Sequence, residues 1–214
     1  MYNERLLRLL AETQIPKVFL DTSSLVAPDE LNGDLLLMES RTSVRRITCH
    51  LLEQGRTLPG FIGDISYAQS NRERYEGFCQ ALADAGKKVD SSLCLTTPLG
   101  IDTYREEIDT FLSSLSRMPD AFVCASDYVA CILMQLLEKR GLRVPEDVAV
   151  SGFDNNTEDL LAEHLTTVQV FNEELGARLA LQILYRIKYP NTPHEITSVS
   201  YTHLRAHETT LHLV

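Results

Sequence analysis

Apolar and polar positions along this chain switch repeatedly between two periods. Leu6, Leu7, Leu9 and Leu10 recur at the spacing of one helix face, and Pro16 then opens the short apolar run KVFLD. LLLME, residues 35–39, reads as a second strand. It is followed by a helix with Val44, Ile47, Leu51 and Leu52 on one side, ending at Gly55. PGFIGD is the next strand, and Tyr75, Phe78, Cys79 and Leu82 mark the stripe of a helix that ends at Gly86. SLCL predicts a short strand, and Tyr104, Ile108, Phe111, Leu112 and Leu115 line a further helix. After the strand AFVCA comes VACILMQLL, a helix apolar nearly all round and therefore buried on more than one side. VAVSGF is a strand, residues 156–163 a short helix, and LTTVQVF a strand. Leu175, Leu179, Ala180, Ile183, Leu184 and Ile187 form the last helix. Strict strand–helix alternation, with short and continuously apolar strands, predicts an α/β fold of parallel sheets covered on both faces.

Composition narrows the function. The chain has 214 residues, 44% hydrophobic and 23% charged, enough for one large domain or two small ones. A formal charge of −10 makes a polyanion such as DNA a poor direct partner. No apolar run reaches the ~20 residues of a membrane span, and the start, MYNERLLRLLAE, is amphipathic and charged, unlike a signal peptide. The five cysteines, Cys49, Cys79, Cys94, Cys124 and Cys131, have no metal-ligand spacing, and their odd number suits a reducing cytoplasm. There is no GxSxG, P-loop or HExxH, so neither an enzyme, a cofactor nor a metal is expected.

Three stretches carry candidate chemistry. In GLRVPEDVAVSGFDNNTEDLL, residues 141–161, Gly141 can end a helix, Pro145 pins a loop, and Asp154 follows the strand's carboxyl end. Ligands of open α/β sheets bind at that edge. Asn156 or Thr157 can cap the next helix, which leaves the Asp154 carboxylate to accept ligand hydroxyls or amines. An Asx turn or a solvated loop is the plainer alternative. In YAQSNRERYEGF, Ser70 with Glu73 fits a capping box, and Arg74 lies at the edge of the buried face, able to point into a cleft or to pair with a surface Glu. In CASDYVA, Ser126 or Asp127 caps the buried helix, and Ser126 also faces the cleft in the functional reading.

GLRVPEDVAVSGFDN resembles the signature of the lactose-repressor (LacI/GalR) family of bacterial transcription regulators. GFIGD with SNRERYEGFCQAL resembles that family's ligand-pocket helix. DAFVCASDYVACILMQLLEKRG resembles its next unit, and LTTVQVFNEELGARLALQIL its last long helix. The likeness implies a periplasmic-binding-protein-like type I fold: two lobes with a cleft between them. Residues 39–164 would be a nearly complete C-terminal effector-binding lobe, and 1–38 with 165–190 a partial N-terminal lobe. It also implies a piece of a longer regulator, a sugar-responsive repressor without its helix-turn-helix. Such a protein binds a small-molecule effector, forms a homodimer, and meets DNA only through the missing headpiece; no membrane partner is implied. A periplasmic sugar-binding protein of a transporter is the alternative.

By the same likeness the pocket residues are Arg74 and Asp154. Ser126 stands where the family often has Asn. Val170 stands where it often has Gln, with Phe171 next, an aromatic that could stack on a sugar. Tyr67, just ahead of the pocket helix, and Ser70 complete the candidate set. Apolar surface is expected to stay uncovered on residues 3–20 and 172–187. Residues 199–214 lack either period and look like translated sequencing adapter. They are read as a non-native tail, and His203 and His207 within them are given no metal role.

Overall fold

The computed structural model describes residues 4–100, 102–155, 165–200 and 204–205. The short helix expected at 156–163, with its caps Asn156 and Thr157, lies outside these residues, as do His203 and His207.

The chain alternates as its apolar pattern predicts: α1 (Glu4–Glu12), β1 (Val18–Leu20), β2 (Asp34–Glu39), α2 (Arg41–Glu53), β3 (Pro59–Ile62) and α3 (Gln69–Asp84). It continues with β4 (Cys94–Leu95), α4 (Tyr104–Ser114), β5 (Ala121–Cys124), α5 (Asp127–Lys139), β6 (Ala149–Ser151), β7 (Thr167–Val168) and α6 (Asn172–Lys188), then β8 (Ile196–Ser200) and β9 (Leu204–Arg205). Two parallel sheets result, ordered β1-β2-β8 and β4-β3-β5-β6.

Burial explains the layers. Every residue of β3 and β5 is buried, which accounts for the absence of polar alternation in PGFI and AFVC. One face of the four-stranded sheet packs on α4 and α5 through Ile108, Leu112, Phe122, Leu133 and Leu137. The other packs on α2 and α3 through Val44, Ile47, Phe61, Phe78 and Leu82. α5 buries eight of its thirteen residues, as its all-round apolar sequence requires. The smaller sheet has its own cluster of Leu7, Phe19, Val26, Leu31 and Leu35 under α1. On the outer faces of α1 and α6, Leu6, Leu9, Leu181, Leu184 and Ile187 are 50–68% exposed, the uncovered surface expected for those segments.

Two segments differ from the sequence reading. LTTVQVF supplies only Thr167–Val168 as a ladder strand. On either side it touches the end of β6 through single bridges, Ser151 to Thr166 and Asp154 to Gln169. The described part of the tail is also joined to the sheets: β8 runs parallel to β2, and β9 pairs antiparallel with β7. ITSVS has little apolar signal of its own. β2 presents a full row of hydrogen-bonding groups and Val199 is buried against it, so pairing supplies what local pattern lacks.

Candidate functional site

The site lies where the carboxyl ends of the two sheets approach one another. Close packing there depends on residues without side chains. A Cβ on Gly63, just past β3, would strike Ala125 past β5, and one on Gly152 would strike the Asp127 carboxylate and Leu165.

Beyond β3, Asp64 organises the loop into α3. Its Oδ1 accepts from Ser66 N (2.8 Å), Ser66 Oγ (2.6 Å) and Tyr67 N (3.1 Å), and its Oδ2 accepts from Leu99 N (3.2 Å) in the loop after β4. Asn71 Nδ2 donates to its carbonyl at 2.9 Å. α3 then starts at Gln69 with Ala68 as its N-cap residue, not at the Ser70 capping box. The cap comes from the other sheet: Gln69 N donates to Thr22 O (2.8 Å) and Ser70 N to Asp21 Oδ1 (3.4 Å). With its first amides satisfied by Asp21 and Thr22, the helix gains two more residues, Gln69 and Ser70, and Ser70 becomes an interior, buried position. Glu73 does not reach back; its Oε1 accepts from Gln69 Nε2 at 3.3 Å, and burial raises its pKa against the lowering effect of that bond and of Arg41.

Arg74 points inward and is 4% exposed. Its Nη1 donates to Ala125 O, its guanidinium carbon sits 3.7 Å from the centre of the Phe153 ring, and its Nη2 is 3.8 Å from Asp154 Oδ1. Asp154 itself has φ 115°, a left-handed conformation costly for a residue with a Cβ. The surroundings hold it there: Asp154 N donates to Val168 O (3.1 Å) and Val170 N to Asp154 O (3.4 Å). Asn155, at φ 51°, follows in the same region and donates its side-chain amide to Gln169. Burial raises the Asp154 pKa from its ordinary value and the nearby Arg74 opposes the shift. The side chain nevertheless keeps 42% of its surface, so the carboxylate stands at the floor of an open recess.

Ser126 caps α5, its Oγ accepting from Val129 N at 3.3 Å. Its neighbour Asp127 is turned away and buried, accepting from Thr167 Oγ1 at 2.6 Å. Arg74, Asp154, Ser126, Ser70 and Tyr67 all line one recess of about 270 Å³, together with Asp21, Asp64 and Tyr104. Phe171 is not part of its lining. It is the N-cap residue of α6 and is 41% exposed, because the preceding Val170 takes the inward position. Asp21 and Asp64 were not among the expected residues. Both close strands, in KVFLD and PGFIGD, so the strand-end argument that selected Asp154 applies to them equally. Among the described residues no cluster of three or more His, Cys, Asp or Glu could hold a metal ion, and no helix is long and apolar enough to cross a membrane.

Two parallel sheets with a polar recess on their carboxyl rims, where Arg74 meets Asp154, make a domain of periplasmic-binding-protein type. The chain belongs to the periplasmic binding protein-like domain family, whose model matches residues 48–210. It is 28% identical over 201 residues to the HTH-type transcriptional repressor PurR of Actinobacillus pleuropneumoniae serotype 3, covering 94% of this chain and 58% of PurR. It is 31% identical over 170 residues to the HTH-type transcriptional regulator DegA of Bacillus subtilis, covering 78% and 48% respectively. The chain thus spans about half the length of these curated relatives. Solved structures share the fold. A LacI-type transcription regulator from Bifidobacterium animalis matches with TM-score 0.74 at 23% identity, covering 90% of this chain and 71% of that one. The regulator CelR in complex with cellobiose matches with TM-score 0.72 at 24% identity, covering 95% and 68%.

Proposed function

We propose that this chain is the effector-sensing part of a LacI-type transcriptional repressor. The complete protein acts in the cytoplasm as a homodimer and reaches DNA through a helix-turn-helix headpiece outside this chain. Residues 39–164 form one lobe, and residues 1–38 with 165–190 belong to the other. The observation that carries this reading is the meeting of Arg74 and Asp154, 3.8 Å apart, in a recess that also takes Asp21 from the opposite sheet. A small polyhydroxylated effector, a sugar or a derivative of one, bridges the two rims there. By binding one lobe arrangement more tightly than the other it shifts their equilibrium, and only that difference in affinity does work on the DNA-binding end.

The test is a calorimetric titration of the chain and of Asp154→Ala with sugars such as ribose and cellobiose. Removing an acceptor whose ligand partner is then buried without a bond costs ~1–3 kcal/mol, a roughly 5- to 150-fold loss of affinity. Unchanged affinity in Asp154→Ala, with the circular dichroism spectrum intact, would overturn the assignment.

A further inference from the structure

The recess has a charge balance that bears on what can enter it. Among its described lining residues, Arg74 is the one cation, against three acids, Asp21, Asp64 and Asp154. The guanidinium is already engaged, with Nη1 on the Ala125 carbonyl, one face on Phe153, and Nη2 directed at Asp154. Asp64 is held in place by three backbone N–H donors and the Ser66 hydroxyl, and Asp21 by two backbone donors, the second from Thr22 N at 2.7 Å. Neither acid can swing away from an incoming anion without breaking the loop after β3 or the cap of α3. The chain as a whole carries −10, which adds a long-range field of the same sign. The remaining polar side chains of the lining are the hydroxyls of Tyr67, Ser70, Tyr104 and Ser126, suited to hydroxyl partners, and the uncharged amide of Asn71, which donates to Asp64 O at 2.9 Å.

We propose that this recess selects uncharged polyhydroxylated effectors and rejects their phosphorylated or carboxylated forms, with Asp21, Asp64 and Asp154 as the residues that discriminate. This rests on the reading of the recess as the effector site and adds the charge class of the effector to it. An anion placed there meets more like charge than the single engaged guanidinium offsets, in surroundings where screening is weaker than in water.

The experiment is isothermal titration of the full chain with matched pairs, ribose against ribose 5-phosphate and glucose against glucose 6-phosphate, with inorganic phosphate alone as a further probe. The expected result is a neutral member that binds about 10- to 100-fold more tightly than its ester, with no heat from phosphate. An ester that binds as tightly as the free sugar overturns the charge selection and leaves the effector site standing. Absence of binding by every member of the panel removes the effector-site reading and this inference with it. Asp154→Asn, which keeps shape and removes charge, is then titrated with the best pair. Asp21→Asn and Asp64→Asn are titrated in the same way; a ratio that narrows several-fold in any of the three supports the assignment, and a ratio unchanged in all three shows that the discrimination does not come from these acids.

Discussion

Asp34 offers the sharpest test of how this chain holds its smaller sheet. The residue begins β2 and is 1% exposed, and Arg186, near the end of α6, is 3% exposed. They meet in a two-point contact, Nη2 to Oδ1 at 2.5 Å and Nε to Oδ2 at 3.0 Å. Gln182 Nε2 (3.0 Å) and Glu195 N (2.9 Å) add donors to the same carboxylate. Arg186 also donates to Thr192 O (2.6 Å) and Pro193 O (2.9 Å), so one ion pair ties β2, α6 and the loop that leads into β8. Removing one partner of such a pair strands the other charge and costs about 3–5 kcal/mol. In Asp34→Ala the guanidinium keeps its two carbonyl acceptors, which puts the expected loss near ~3 kcal/mol. For a chain of this size that is a fall in melting temperature of roughly 6–12 °C.

The assay is urea unfolding of the wild type, Asp34→Ala, Arg186→Met and the double variant, followed by circular dichroism. The double variant should be less destabilised than the two singles added together, because no charge is left alone. Amide exchange should accelerate in Asp34→Ala at Glu195, whose N–H loses its acceptor Asp34 Oδ1 (2.9 Å), and at Leu35, whose N–H donates to Glu195 O (2.9 Å). The pH dependence has a definite sign. Burial acts against the Asp34 carboxylate, but the bonds from Arg186, Glu195 and Gln182 outweigh it, and its pKa lies below the ordinary value. Its contribution is therefore fully present above the unfolded pKa of ~3.9 and is lost as pH falls through the lower folded value. Asp34→Ala should flatten the wild type's loss of stability in that acid window. A single variant costing under ~1 kcal/mol, or strict additivity in the double, would refute the account of a coupled buried pair.

Three further outcomes follow from the site. Ser126→Ala removes the α5 cap and should cost ~1 kcal/mol in urea unfolding. Gly152→Ala drives a methyl group into the Asp127 carboxylate that holds Thr167, and should cost roughly 1–3 kcal/mol by the same measurement. Phe171→Ala should leave sugar affinity within about twofold in calorimetry, because the ring lies outside the recess and removes no buried partner.

The elements were legible in the sequence wherever burial is two-sided or strongly one-sided. AFVC and PGFI could only be covered strands, and VACILMQLL could only be an interior helix. The carboxyl-rim position of Asp154 and the inward aim of Arg74 were readable for the same reason, since both follow from where a strand ends or a helix buries its face. What failed depended on contacts distant in sequence. Ser70 with Glu73 is a sound local capping pattern, but Asp21 and Thr22, some fifty residues earlier, occupy those amides. β8 exists because β2 offers it a partner, and the Asp34–Arg186 pair joins residues 152 positions apart. Asp21 and Asp64 were visible in the sequence and went unread because their role is fixed by loops that only the folded rim brings together.

Those long-range contacts have a consequence for sensing. The first turn of α3, one turn ahead of Arg74, rests on the opposite sheet through Gln69 N to Thr22 O, Ser70 N to Asp21 Oδ1, and Arg72 Nη2 to Ser24 Oγ at 3.2 Å. Each bond is worth about 0.5–1.5 kcal/mol net, and the one to a carboxylate somewhat more. Any rearrangement that separates the two rims must exchange these bonds for water, at a total of a few kcal/mol. An effector's differential affinity can supply a free energy of that size, whereas shifting a two-state balance from 1:99 to 99:1 takes ~5.5 kcal/mol. The helix that presents Arg74 to the recess is therefore also the helix whose start bridges the two sheets, so under the proposed function an effector touching Arg74 and the spacing of the sheets are coupled through the first two turns of α3.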